Sequence, residues 1–325
     1  MTKLKYSLFG ALALIFIFQT TACKSAKDTM DAEATAAKDV VEEQKEASKG
    51  LSNNLLWKIS GNGLEKSSFL YGTIHMIGAE DFFLPDGTMT AMDASDRVVF
   101  EIDMADMTDM SSMMGLMDKA FMKDNLTLQD LLTEEDFKLV EDHFKDMGLP
   151  IFFMQRIKPM FLTVFTSGDM SPGDLQSGKI KSYEFEFMEM AKNGEKPTAG
   201  LETIDFQLSV FDSIPYADQA EMLMDGIKNG GSDSDSFKEI VEVYKEQNLT
   251  KMLAMTLSED GGLAEYDDLL LNQRNKNWIP QMKTMMAENV NFFAVGAGHL
   301  PGDEGVINLL REAGYTVEPF TSKGI

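Results

Sequence analysis

Two short runs at opposite ends of the chain constrain its fold more than any other feature. Phe69-Leu70-Tyr71-Gly72-Thr73-Ile74-His75 and Phe292-Phe293-Ala294-Val295-Gly296-Ala297-Gly298-His299 each read as an apolar strand ending in Gly-x-x-His. An imidazole at the tip of a buried strand is a costly group unless it is used or satisfied. The chain has only three histidines, and two occupy these matching places. The glycine permits a sharp turn or a close backbone approach, and the next three residues can carry the ring over the sheet edge. Strand ends of open α/β sheets are where ligands commonly bind.

Two more strand-like runs finish in carboxylates, Arg97 to Ile102 with Glu101 and Gly200-Leu201-Glu202 with Glu202. Two neutral imidazoles with one or two carboxylates suit a divalent ion such as Mn²⁺, Co²⁺, Fe²⁺ or Zn²⁺. Such an ion lowers the pKa of bound water to about 7 and polarises a carbonyl, which is hydrolase chemistry. The plainer alternative makes each histidine a hydrogen-bonded strand-end residue. Spacing alone leaves both open.

The remaining pattern indicates α/β or α+β, a central mixed sheet with a large helical insertion, in a single domain. Leu55 to Ser60, a Gly61-Asn62-Gly63 turn and the run to His75 form a hairpin. Helices are expected at Thr127 to Gly148, with apolar Phe137, Val140, Phe144 and Met147, at Ile157 to Phe165 and at Glu184 to Lys192. Phe206 to Pro215 reads as helical, and further helices begin at Phe237 and near Asp267. Val306 to Gly314 closes as a helix with Gly314 past its end, and Tyr315 to Phe320 as a strand. Strands at both ends with a helical middle imply one sheet closed by late pairing, with the insertion at about 104–195.

Residues 1–22 read as a lipoprotein signal peptide, with Lys3 and Lys5 ahead of an apolar stretch from Leu8 to Phe18. Thr20-Thr21-Ala22-Cys23 resembles a lipobox, with Thr20 where leucine is usual, and Cys23 is the only cysteine. Lipidation there would anchor the chain in the cell envelope, with residues 23–50 as a flexible tether and the folded unit at 51–325. The net charge of −24 argues against nucleic acid or an anionic membrane surface as partner, leaving the lipid as the membrane contact.

Five separated blocks resemble the TraB/GumN family, which includes the animal Tiki proteases as distant relatives. They are LLWKISGNGLEKSSFLYGTIHM, VVFEID, AGLETIDFQ, LLLNQRNKNWIPQM and VGAGHLPGDEGVINLLREAGYTVEP, in order from 54 to 320. The resemblance implies one site gathering the two Gly-x-x-His motifs, through Gly72 and Gly296, with His75, His299, Glu101 and Glu202. It implies a divalent-metal-dependent protease for the Tiki members, and inhibitors of peptide pheromones among bacterial members. His75 and His299, with Glu101 or Glu202, would hold the metal, and the other glutamate would take a proton from water. Arg274 and Asn275 match the family's Arg-Asn pair; Arg274 would hold a substrate carboxylate or stabilise an oxyanion, or merely orient a glutamate. Lys158-Pro159 also matches, Glu184 stands where many members have aspartate, and Trp278 reads as core packing.

The leading expectation is a metal-dependent hydrolase, a peptidase, of the envelope. The alternative is a lipoprotein that binds and sequesters a peptide or protein partner without cutting it. A third is a metal-free hydrolase using a histidine and glutamate pair, as in the distantly similar erythromycin esterases. Met104, Met107, Met110, Met113, Met114 and Met117 suit an amphipathic packing helix or, less simply, Cu(I) ligation. His143 reads as a solvated helix residue, and Ser232 to Ser236 as a polar loop without the EF-hand glycine and glutamate.

Overall fold

The structure is a computed structural model and describes residues 51–103, 119–166, 176–229, 235–256 and 266–322. The expected signal peptide, Cys23, the tether, the methionine run from Met104 to Met117 and residues 232–234 lie outside the described residues.

A mixed six-stranded sheet organises the chain. The strands are β1 (Leu56–Gly61), β2 (Ser68–Thr73), β4 (Arg97–Ile102), β6 (Thr198–Glu202), β7 (Asn291–Gly296) and β8 (Tyr315–Pro319). A separate two-residue ladder pairs β3 (Ile77–Gly78) with β5 (Ile180–Lys181). Between them run α1 (Thr88–Ala94), α2 (Leu128–Leu131), α3 (Glu134–Asp146), α4 (Pro159–Leu162), α5 (Tyr183–Asn193) and α6 (Ile204–Phe211). Then follow α7 (Tyr216–Asn229), α8 (Asp235–Lys245), α9 (Leu249–Thr256), α10 (Gln273–Glu288) and α11 (Val306–Glu312).

The sheet order is β6-β4-β7-β2-β1-β8. β6, β4, β7 and β2 are mutually parallel, whereas β1 pairs antiparallel with both β2 and β8. The hairpin forms because Gly61, Asn62 and Gly63 all take positive φ, which two glycines and an asparagine tolerate. β2 is buried along its whole length and β7 up to its final glycine, so both read as continuous apolar runs, as parallel strands covered on both faces must. Trp57, Tyr71, Phe187, Phe292 and Trp278 anchor the main core; each such side chain contributes about 1.5–3 kcal/mol on burial. Two smaller clusters, one around Phe161 and Phe211 and one around Phe144 and Leu223, hold the helical region together.

The helical middle is more broken than its periodicity suggests. Thr133 accepts a hydrogen bond from the Asp136 amide and restarts the helix, splitting the expected element into α2 and α3. Pro159 starts α4 at its first turn, and the expected helix through Phe165 finishes as a 3₁₀ turn. The sequence reading gives no helix at α7 or α9. In α7 the apolar residues Met222, Leu223 and Met224 stand side by side, which hides the spacing of Ala220, Leu223 and Ile227. His143 is a correction: it is half-buried, not solvated, with Nε2 3.0 Å from the Phe165 carbonyl and its ring edge-on to Phe144.

Candidate active site

Because β2, β7, β4 and β6 are parallel neighbours, their carboxyl ends open at one edge of the sheet. His75 follows β2, His299 follows β7, Glu101 lies near the end of β4, and Glu202 ends β6. Side chains spread over more than 200 residues of sequence thereby meet. Two glycines make the meeting possible. A Cβ on Gly72 would lie 3.1 Å from both Ala297 Cα and Cβ, so glycine lets the second motif lie against the first. A Cβ on Gly296 would stand 3.3 Å from Glu101 Oε1, whose oxygen accepts the Gly296 N–H at 2.8 Å.

On the β2 side, the short β3–β5 ladder brings the segment after His75 beside the start of α5. Ser182 caps α5, and Glu184 in its first turn faces back to the histidine. Glu184 Oε1 accepts from His75 Nδ1 at 3.1 Å and from Thr73 Oγ1 at 2.7 Å, while Oε2 accepts from Ser182 Oγ at 3.0 Å. Tyr244 donates to the Gly72 carbonyl at 2.9 Å and steadies the turn.

On the β7 side, His299 is fully buried and packs against Trp278, the rings tilted by 42° with centroids 4.4 Å apart. Asn275 donates through Nδ2 to the carbonyls of Glu304 (2.8 Å) and His299 (3.4 Å), so its Oδ1 is the acceptor for His299 Nδ1–H at 2.7 Å. This fixes the Nδ1–H tautomer and leaves Nε2 to accept from Arg274 Nη1 at 3.2 Å. Arg274 Nη2 bridges Glu101 Oε2 at 2.5 Å and Glu202 Oε1 at 2.6 Å, and Nε also donates to Glu202. Trp278 Nε1 donates to Glu202 Oε2 at 2.9 Å, so this residue serves the site as well as the core.

The electrostatics differ from group to group. Burial resists ionisation of Glu101, but Arg274, His299, His75 and the Gly296 amide together hold its pKa down at about 2. Burial outweighs Arg274 at Glu202 and raises it, and the neighbouring Glu101 charge adds to the rise. Burial lowers His299 to about 3. At His75 burial acts the same way, yet the charge and hydrogen bond of Glu184, aided by Glu101, outweigh it and raise the pKa.

All six expected residues, His75, Glu101, Glu202, Arg274, Asn275 and His299, are therefore neighbours, but their roles redistribute. Asn275 positions His299 instead of facing a reacting atom. Both oxygens of Glu202 are engaged, and Glu101 is too acidic to serve as a base. His75 is the group suited to proton transfer. Glu184 and Gln207, whose Nε2 is 3.4 Å from Glu101 Oε2, are the partners sequence reasoning undervalued. Glu184 was findable as the carboxylate that stands where many family members have aspartate; Gln207 closes the AGLETIDFQ block, with nothing in its spacing to give it a role. Lys158 is buried and paired with Asp212, away from these residues.

The donor types suit a divalent ion, but the arrangement does not. Among the described residues no group of three or more His, Cys, Asp or Glu side chains is spaced to hold a metal. His299 Nε2, Glu101 Oε2 and Glu202 Oε1, atoms such an ion would need, each already accept from the Arg274 guanidinium.

This gathering of two Gly-x-x-His strand ends around an arginine coincides with a family match. Residues 55–319 match the TraB/PrgY/gumN family, and the chain belongs to it. It is similar to Metalloprotease TIKI2 of Danio rerio, 21% identical over 339 residues, covering 87% of this chain and 65% of the relative. It is also similar to Metalloprotease TIKI1 of Homo sapiens, 21% identical over 320 residues, covering 82% of this chain and 62% of the relative. A Metalloprotease TIKI homolog of Nematostella vectensis is 20% identical over 321 residues, covering 82% and 67%. The chain thus spans less than two-thirds of the length of the first of these relatives. No solved structure matches.

Proposed function

We propose that the chain is a hydrolase of peptide bonds whose centre is the carboxyl edge of the sheet. The observation that carries this reading is the meeting of His75, Glu101, His299 and Glu202 at the carboxyl ends of four adjacent parallel strands, the last three on one buried arginine and His75 on Glu184. His75, paired through Nδ1 with Glu184, acts as general base toward a water at the scissile carbonyl, and Glu184 stabilises the imidazolium that forms. The water oxygen bonds to the carbonyl carbon as its proton passes to His75. When the C–N bond breaks, that proton goes to the leaving amine. His299 stays neutral, and Arg274 with Glu101 and Glu202 keeps the floor of the site rigid.

A metal-dependent form of the same reaction, with Mn²⁺, Co²⁺, Fe²⁺ or Zn²⁺, is favoured by the relatives' name as metalloproteases. It requires Arg274 to give up its acceptors. We place the protein in the bacterial envelope, tethered through a lipid on Cys23, which brings extracytoplasmic peptides or proteins to it as substrates.

The test is to incubate the purified chain with peptide libraries, with and without chelator, and read the products by mass spectrometry. Cleavage that falls roughly 10²–10⁴-fold in His75→Ala, with unchanged cooperative unfolding, is the expected result. Tight binding of peptides that stay intact would replace this reading with a sequestering protein.

A further inference from the structure

The arginine at the centre is placed as a cation, not as a surface partner. A guanidinium has five N–H donors, and at Arg274 each has an acceptor. Nε donates to Glu202, Nη1 to the Leu270 carbonyl at 3.0 Å and to His299 Nε2, and Nη2 to Glu101 and Glu202. These acceptors come from β4, β6, the 3₁₀ turn after β7 and a π turn at Asp268–Asn272 just ahead of α10. Arg274 is 1% exposed, so the convergence is a built feature of the interior.

We propose that Arg274 is the resident cation of the centre and that its guanidinium and a divalent metal ion compete for one set of donors. The proposal rests on the site identified above, though not on the reaction assigned to it. His299 has a single lone pair, because Nδ1 carries the proton given to Asn275, and that lone pair faces Arg274. Glu101 Oε1 is committed to the Gly296 amide and Oε2 to Arg274. Glu202 is held by Arg274 on one side and Trp278 on the other. A metal bound by His299, Glu101 and Glu202 would need the one His299 lone pair and the same carboxylate oxygens, and would stand within a few ångströms of a fixed positive charge. The guanidinium already pairs with both carboxylates. With the guanidinium removed, the two glutamates and His299 hold the donor types Mn²⁺ or Zn²⁺ asks for, but they are not spaced for an ion as they stand and would have to close up around it.

The experiment uses the full chain, stripped with chelator and dialysed against micromolar MnCl₂ or ZnCl₂, with bound ion counted by elemental analysis and affinity by calorimetry. Wild type is expected to retain no stoichiometric ion. Arg274→Ala is expected to bind one ion at least about 100-fold more tightly than wild type, and to unfold at a temperature that rises with metal concentration. Adding Glu101→Gln or Glu202→Gln should remove that ion, which separates the site from loose binding to an acidic surface. If Arg274→Ala does not fold without metal, refolding it with and without ZnCl₂ reads the same competition. Arg274→Lys, which keeps a charge but only three donors, should fall between the two.

One ion per wild-type chain that is lost in Glu101→Gln or His299→Ala overturns the proposal, because ion and guanidinium would then coexist. No gain in Arg274→Ala, with the protein folded, overturns it as well. If no Arg274 variant folds under any condition, the wild-type count decides alone: an ion lost on Glu101→Gln refutes competition, and none supports it. The two readings fail separately. A wild type that cleaves peptides only with metal bound keeps the hydrolase and loses the competition. An Arg274→Ala chain that gains an ion in a protein that cleaves nothing does the reverse.

Discussion

The two Gly-x-x-His ends share a motif and a sheet edge but not an environment. His75 faces a carboxylate, Glu184, and its pKa is raised; His299 faces a carboxamide, Asn275, is packed on Trp278, and falls to about 3. Both are anchored at Nδ1, so the motif fixes where the ring points and the partner decides whether it can charge. When neighbouring groups are pushed apart in this way, one is set to move a proton and the other to stay neutral. The asymmetry argues for a division of labour in place of two equivalent ligands.

The comparison can be broken most forcefully at the arginine on the His299 side. Arg274→Ala leaves Glu101 and Glu202 buried without their cation, and should cost about 3–5 kcal/mol in denaturant unfolding without metal. A loss below about 1 kcal/mol would mean the carboxylates are far better hydrated than their burial indicates. Next in size is Glu184→Gln, which keeps the shape and removes the charge behind His75. We expect cleavage to drop about 10²–10⁴-fold with little change in stability, whereas Asn275→Asp, which sets a carboxylate against the Glu304 carbonyl, should show its effect chiefly as lost stability. Equal losses in both variants would erase the distinction between the two ends.

Gly72→Ala tests whether the ends must touch. Its Cβ would press on the Ala297 backbone at 3.1 Å, and overpacking of this kind costs about 1–3 kcal/mol in thermal unfolding. The smallest effects are in pH dependence, at most about 1.4 kcal/mol per pH unit for one proton. The folded pKa of His299 lies below the ordinary 6.5, so between about 3 and 6.5 the unfolded chain binds more protons and stability falls with acid. His75 is raised, so its contribution is full below 6.5 and is lost as pH climbs through its folded value. His299→Gln should therefore flatten the acid limb, and His75→Gln should remove a decline above pH 6.5. Both are read from urea midpoints across pH.

Much of the sheet was legible because its strands carry their own signals. The apolar runs ending at Gly72 and Gly296, the Gly61-Asn62-Gly63 turn and the Arg97 to Ile102 strand appear where periodicity and turn chemistry place them. The helical middle was less so, since short helices restart at side-chain caps such as Thr133 and pack in clusters whose apolar residues are not cleanly periodic. At the site, residue types and convergence could be read, but allegiance could not. Nothing in spacing says that Arg274 takes the lone pairs of Glu101, Glu202 and His299, or that a two-residue ladder swings Glu184 onto His75. Those depend on which strand lies beside which, a property of the assembled sheet.

That strand order has a consequence for how the protein comes into being. β7 occupies the slot between β4 and β2, yet it leaves the ribosome long after both. Until it arrives, the growing polypeptide carries a gap in its middle, and three of the groups that matter wait on one side or the other of it. Any chemistry is thus withheld from the nascent chain until β7 and the turn that carries His299 drop into place.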